Sequence, residues 1–174
     1  MSVQLARTRR FPVSASALYS VLTCRAYYDA RFAMSGVTDY GYEEEQMPDG
    51  ALLIRLTRQM DVKSGKVPAF ARRFIGRSAA LISEFVWQPG TTQPFRAGFR
   101  FSMGSVPVTV AGSMTLSEDG AGHAQQDLEA DITSSVPLLG RKLAQLVADQ
   151  VDKGLASDSR ATLRYLEEQG MLTR

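Results

Sequence analysis

The sequence predicts an α+β fold: a curved seven-stranded antiparallel sheet with two short helices near its start and a long C-terminal helix. Two patterns predict it. Between Val37 and Ser134, apolar and polar residues alternate in strand-length runs separated by turn chemistry, and after Pro137 helical spacing continues to Gln169 with no further proline. A chain of 174 residues supports one substantial core, so a single domain over 1–174 is expected.

Residues 3–11 read as the first strand. Phe11-Pro12-Val13-Ser14 ends it and supplies Ser14 as a helix N-cap, after which Ala17, Leu18, Val21 and Leu22 recur at helical spacing. A second short helix covers Arg25 to Phe32, closed by Met34-Ser35-Gly36. Six further strands are expected near 37–46, 51–62, 78–88, 94–103, 106–117 and 124–134. Pro48-Asp49-Gly50 and Ser117 to Gly120 carry tight-turn chemistry, and Gln88 to Pro94 forms a longer loop. Such short connections make successive strands antiparallel neighbours.

The strands are dry on one side. Phe95, Ala97, Phe99, Phe101 and Met103 share one face, with Arg96, Gly98, Arg100 and Ser102 on the other. Leu52, Ile54, Leu56, Met60 and Val62 oppose Arg55, Thr57, Gln59 and Asp61; Val106, Val108, Val110, Met114 and Leu116 repeat the pattern. A sheet apolar on one side needs a cover. The segment from Leu138 to about Gln169 supplies it, and as a continuous helix it would run about 48 Å at ~1.5 Å per residue. Leu143, Val147, Val151, Leu155, Thr162 and Leu166 fall along one side, with Gly154 among them, where a glycine suggests space for a crossing strand or a ligand.

Composition narrows the function classes. The net charge is +2, and 16 of the 20 basic residues are arginine, which with the absence of asparagine reads as coding bias. No basic stripe is interleaved with stacking aromatics, so no nucleic-acid partner is expected. Neither a signal segment nor an apolar run of membrane-spanning length occurs, Cys24 is alone, and no glycosylation sequon exists, so a cytoplasmic location is expected. Gly-rich nucleotide loops and the nucleophile elbow of hydrolases are missing, and one His with one Cys gives no metal-ligand set. No cofactor, metal site or catalytic residue is assigned.

The order strand, two short helices, six strands and long terminal helix resembles the helix-grip fold of the START and birch-pollen-allergen (SRPBCC) superfamily along essentially the whole chain. Phe11 to Thr23 is similar to the strand-to-helix entrance of many members, and Val136-Pro-Leu-Leu-Gly-Arg-Lys-Leu143 more narrowly resembles a bacterial branch, domain of unknown function 2505. The resemblance implies a cavity between sheet and terminal helix that holds lipids, sterols, polyketides or other apolar molecules, used by some members for cyclisation or dehydration.

On that fold the inner sheet face nominates Met60, Phe85, Trp87, Phe99, Phe101, Met103 and Met114 as ligand-binding residues, with Gly154 opposite. These either line a cavity or fill a core; Trp87 in addition has an indole N–H that needs a partner if buried. Asp158, near Thr162 and Tyr165, is the polar candidate for the interior. Residues 63–77 carry five basic residues among Phe70, Phe74 and Ile75, which fits either a solvated loop or an amphipathic lid in transient contact with a membrane surface. Asp127, Glu129 and Asp131 alternate opposite Leu128, Ala130 and Ile132 and are expected to face water; His123 belongs to a turn and Cys24 to the core. Noncatalytic binding or carriage of a hydrophobic small molecule is the leading expectation. The alternatives are a cyclase or dehydratase using Asp158 or Tyr165, and a chaperone-activator-like interaction module.

Overall fold

The computed structural model describes residues 2–61, 67–76, 78–104 and 106–172. Strand β1 (Ser2–Phe11) is followed by helices α1 (Ala15–Leu22) and α2 (Arg25–Met34). Strands β2 (Gly41–Gln46), β3 (Leu52–Asp61), β4 (Ser78–Trp87), β5 (Phe95–Met103), β6 (Val108–Glu118) and β7 (Ala124–Ser134) come next, and helix α3 (Gly140–Glu168) ends the fold. All seven strands form one antiparallel sheet in the order β1-β7-β6-β5-β4-β3-β2. The chain therefore meanders from β2 to β7, and α1 and α2 link the two edge strands.

Local chemistry sets the boundaries. Ser14 caps α1, its hydroxyl accepting from the Ala17 N–H at 3.1 Å. Helix α2 runs two residues past the expected Phe32 and closes when the Val37 N–H donates to the Phe32 carbonyl at 2.8 Å, with Gly36 at φ 74°. Val37 to Tyr40 does not join the sheet, so β2 is shorter than expected, although Val37 and Tyr40 still pack on the core. Helix α3 begins at Gly140 rather than Leu138, because Leu138 has φ 64°, which a right-handed helix cannot contain. Val62, expected on the dry face of β3, lies outside the described residues.

The sheet's buried face forms one apolar cluster with the three helices. On this face Gly112 stands opposite Phe99 on β5 and Ala130 on β7. A Cβ at Gly112 would lie 2.0 Å from the Glu129 carbonyl oxygen, 2.7 Å from the Phe99 ring and 2.9 Å from the Ala130 Cα. Only glycine admits both the close strand approach and the ring laid over it. At the start of α3, Gly140, Ala144 and Ala148 are buried small residues, and a Cβ at Gly140 would come within 3.0 Å of the Ser134 carbonyl. The first half of α3 thus lies tight on the sheet.

Gly154 behaves differently. It is exposed, and nothing lies within 4 Å of the place its Cβ would occupy. Gly112→Ala is expected to lower the unfolding free energy by about 3 kcal/mol or more through backbone collision. Gly154→Ala is expected to raise it by about 0.5–1 kcal/mol. Urea unfolding checks both, and a Gly112→Ala protein as stable as the parent contradicts the steric account.

Candidate functional site

Beside the second half of α3, the concave sheet face and all three helices partly enclose a void of ≈50 Å³. Strand alternation supplies its sheet wall: Phe85 and Trp87 from β4, Phe99 and Phe101 from β5, Met114 from β6. Phe99 and Phe101 stack with ring centroids 5.1 Å apart, and Phe101 meets Phe85 edge-on at 5.9 Å. Leu18 and Leu22 of α1 and Leu155 of α3 complete the apolar wall.

The sequence-selected residues divide in two. Phe85, Trp87, Phe99, Phe101, Met114 and Asp158 come together around the void. Met60 and Met103 do not reach it: each is half-buried near the outgoing end of its strand, Met60 opposite Ala79 and Met103 opposite Leu81, away from the enclosure. Gly154 is a correction, since the helix turns it to solvent and presents Leu155 inward instead. Tyr165 is half-buried, edge-on to Tyr27 at 5.3 Å, and is not part of the wall. The Trp87 indole N–H is buried and has no hydrogen-bond acceptor.

Sequence reasoning missed the polar end of the wall, formed by Arg9, Tyr27, Tyr28, Arg31, Gln126 and Thr162 with Asp158. Arg9 projects inward from β1. Its Nε donates to the Gln126 side-chain carbonyl at 2.9 Å, and one terminal nitrogen donates to the Leu155 carbonyl at 2.6 Å and the Ser159 hydroxyl at 2.7 Å. Gln126, 2% exposed, directs its amide nitrogen to the Met114 sulfur at 2.9 Å. Burial pushes the Arg9 pKa down, with Asp158 in partial opposition.

Arg31 on α2 approaches Asp158 at 3.6 Å and sits over the Tyr28 and Phe32 rings at 5.1 and 4.9 Å. Burial works against its charge, but Asp158 and the neighbouring tyrosines outweigh that and hold its pKa above the ordinary value. Arg58, inward on β3, lies over Phe32 at 5.7 Å, and burial followed by repulsion from Arg31 lowers its pKa. Thr162 donates to the Asp158 carbonyl at 2.7 Å, so its single hydroxyl proton is committed and the Tyr27 hydroxyl is the donor in their 2.6 Å contact. The Tyr28 hydroxyl donates to the Leu22 carbonyl at 2.7 Å, and burial raises the pKa of both tyrosines.

These arginines had signals. Arg9 shares the parity of Leu5 and Phe11 in β1, Arg58 that of Ile54, Leu56 and Met60 in β3, and Arg31 falls one helical turn from Tyr27 and Tyr28.

The remaining polar candidates lie elsewhere. Glu129 and Asp131 are exposed on the outer face, where Asp127 accepts from Thr8 at 2.7 Å. His123 is half-buried on the β6–β7 turn, which Asp119 ties by accepting from the Ala121 and His123 backbone at 2.9 and 3.0 Å. Those bonds hold the Asp119 carboxyl below its usual pKa. Cys24 is half-buried between α1 and α2. Of residues 63–77, 67–76 are described: Ala71 is buried, Phe70, Phe74 and Ile75 pack on the core, and Arg72 and Arg73 are exposed. Tyr27→Phe removes the buried donor to Thr162 and is expected to cost about 1 kcal/mol in urea unfolding. An unchanged midpoint contradicts that bond.

No curated protein sequence matches the chain. Solved structures share its fold at low identity. The Zhui aromatase/cyclase from Streptomyces is 15% identical over 97% of this chain and 96% of its own, with a TM-score of 0.64. A START superfamily protein from Mycobacterium smegmatis is 13% identical over 95% and 98%, at 0.55. Norcoclaurine synthase from Thalictrum flavum, in complex with dopamine and hydroxybenzaldehyde, is 10% identical over 97% and 88%, at 0.53. The fold is thus the helix grip that these structures share. The model of one family, described as "Protein of unknown function (DUF2505)", matches residues 7–166, and the chain belongs to that family.

Proposed function

We propose that the chain, acting as one unit over 1–174, binds or carries a hydrophobic small molecule between the sheet and α3, without catalysis. What carries the proposal is the void itself: an interior space walled by Phe85, Trp87, Phe99, Phe101 and Met114 and roofed by Leu155. Lipids, sterols and polyketide-like molecules match such a wall in chemistry. The same fold in the Thalictrum synthase accompanies two aromatic small molecules.

Size sets a condition on the proposal. Ligand pockets commonly measure ~300–1,000 Å³, whereas this void measures ≈50 Å³, room for a few waters. Entry of a ligand therefore requires side chains to move. Phe85 and Phe101 are half-buried and can swing outward more cheaply than the buried Trp87 or Leu18.

Noncatalytic binding is favoured over a cyclase or dehydratase by the state of the polar groups. A general acid or base needs a proton free to move near neutral pH. The Tyr27 and Tyr28 hydroxyls are committed to Thr162 and Leu22 and have raised pKa values, and Asp158 faces Arg31. Membrane contact through 63–77 would rest, among the described residues, on Arg72 and Arg73, because Phe70, Phe74 and Ile75 turn to the core. No helix is long and apolar enough among the described residues to cross a membrane.

Native mass spectrometry of the chain purified from its own host is expected to show a small apolar adduct. The stripped protein is expected to take up the neutral fluorophore 1-aminoanthracene and quench Trp87, the one tryptophan. A persistently bare chain that also ignores the fluorophore contradicts the proposal.

A further inference from the structure

The wall of the void carries more positive than negative charge. Arg9 and Arg31 both line it, and Asp158 is the one carboxylate that does, leaving a surplus of a single positive charge among the described residues. Arg58 adds to the same sign from beside Phe32. Asp158 answers this charge poorly. Its contact with Arg31 is 3.6 Å, beyond good hydrogen-bond length, and its side chain is 40% exposed against 17% for Arg31.

Among the described residues no carboxylate forms an ion pair with Arg9; Asp158 acts on it only through space. Gln126, Leu155 and Ser159 offer neutral oxygen atoms, which orient the guanidinium without cancelling its charge. A half-buried cation left in this state is costly, and natural chains keep such groups paired or at functional sites. A core that only had to be filled would be more stable with an apolar residue at position 9. The wall also holds a donor without an acceptor, the buried Trp87 N–H. Space, surplus charge and an idle donor share one enclosure.

We propose that the bound molecule is an amphipathic acid, whose apolar body lies against Phe85, Phe99 and Phe101 and whose carboxylate is received by Arg9 and Arg31. This rests on the small-molecule reading above and names the chemical class of its ligand. A monoanion balances the surplus; a neutral sterol or hydrocarbon leaves Arg9 as it is. A planar carboxylate also matches the fork of donors that a guanidinium presents. Asp158 then competes with the ligand for Arg31 and keeps the empty state tolerable.

The test uses acids paired with alcohols of the same skeleton: decanoate with decan-1-ol, and naphthalene-2-carboxylate with 2-naphthalenemethanol. Displacement of 1-aminoanthracene at neutral pH reads their affinities. At least one acid is expected to bind about tenfold or more tighter than its alcohol, the scale of a charged hydrogen bond. Arg9→Gln is expected to bring that ratio close to one. Asp158→Asn is expected to tighten the acid several-fold and leave the alcohol unchanged, which a merely structural role for Asp158 would not do. Alcohols that bind the parent protein as tightly as their acids overturn this inference while leaving the small-molecule reading intact. Failure of all four probes to displace the fluorophore overturns the inference, and failure of the fluorophore itself to bind overturns both. Should Arg9→Gln not fold, the acid-to-alcohol ratio of the parent and the response of Asp158→Asn still decide.

Discussion

Everything in this molecule depends on how one helix covers one curved sheet, because the concave face between Phe95 and Ile132 is mostly apolar and cannot stay in water. Helix α3 meets that demand with two different chemistries along its length. Its first half lies close on the sheet through Gly140, Leu143, Ala144 and Ala148, all buried. Its second half is held by polar links: Arg7 to Asp152 at 2.8 Å, Arg9 to the Leu155 carbonyl and Ser159, Arg31 to Asp158, and Tyr27 to Thr162. Small residues draw backbones together, and long arginine and tyrosine side chains hold them apart. The void opens where the second kind of attachment takes over.

That division carries an energetic cost as well as a use. Each interior methylene buried by an apolar substitute for Arg9 would stabilise the fold by ~0.8 kcal/mol, whereas the guanidinium must be desolvated. The aromatic faces of Tyr28 and Phe32 around Arg31, and the neutral acceptors around Arg9, reduce the penalty without removing the charge. Stability given up in one corner of a well-packed core is a familiar mark of binding sites. Here it coincides with the space bounded by both arginines.

Much of this was legible in the residues. The period-two pattern of β3 to β7, the Ser14 cap and the proline-free stretch after Pro137 specify the architecture, and the parity of Phe85, Trp87, Phe99, Phe101 and Met114 specifies the apolar wall. The polar end was hidden by a habit of reading arginine as solvent-facing. Arg9 and Arg58 keep inward parity, so alternation outranked side-chain type and would have found them. Gly154 misled for the opposite reason: its place in the helical period lies at the margin of the buried stripe, where a small rotation decides between interior and solvent. Leu138 could not be read as left-handed, since nothing in its side chain favours that conformation. The size of the void was equally illegible, because it reflects how far long side chains hold α3 from the sheet rather than any local motif.

The central claim is that the half-buried Arg9 guanidinium is fixed at the wall of the void by Gln126, Leu155 and Ser159 in the ligand-free chain. Hydrogen exchange at the arginine Nε–H, followed by NMR with Arg9→Lys to assign the resonance, measures this directly. A protected Arg9 Nε–H is predicted at neutral pH, exchanging far more slowly than those of the exposed Arg96 and Arg100. An Arg9 proton that exchanges as fast as theirs would place the guanidinium in water and contradict the claim.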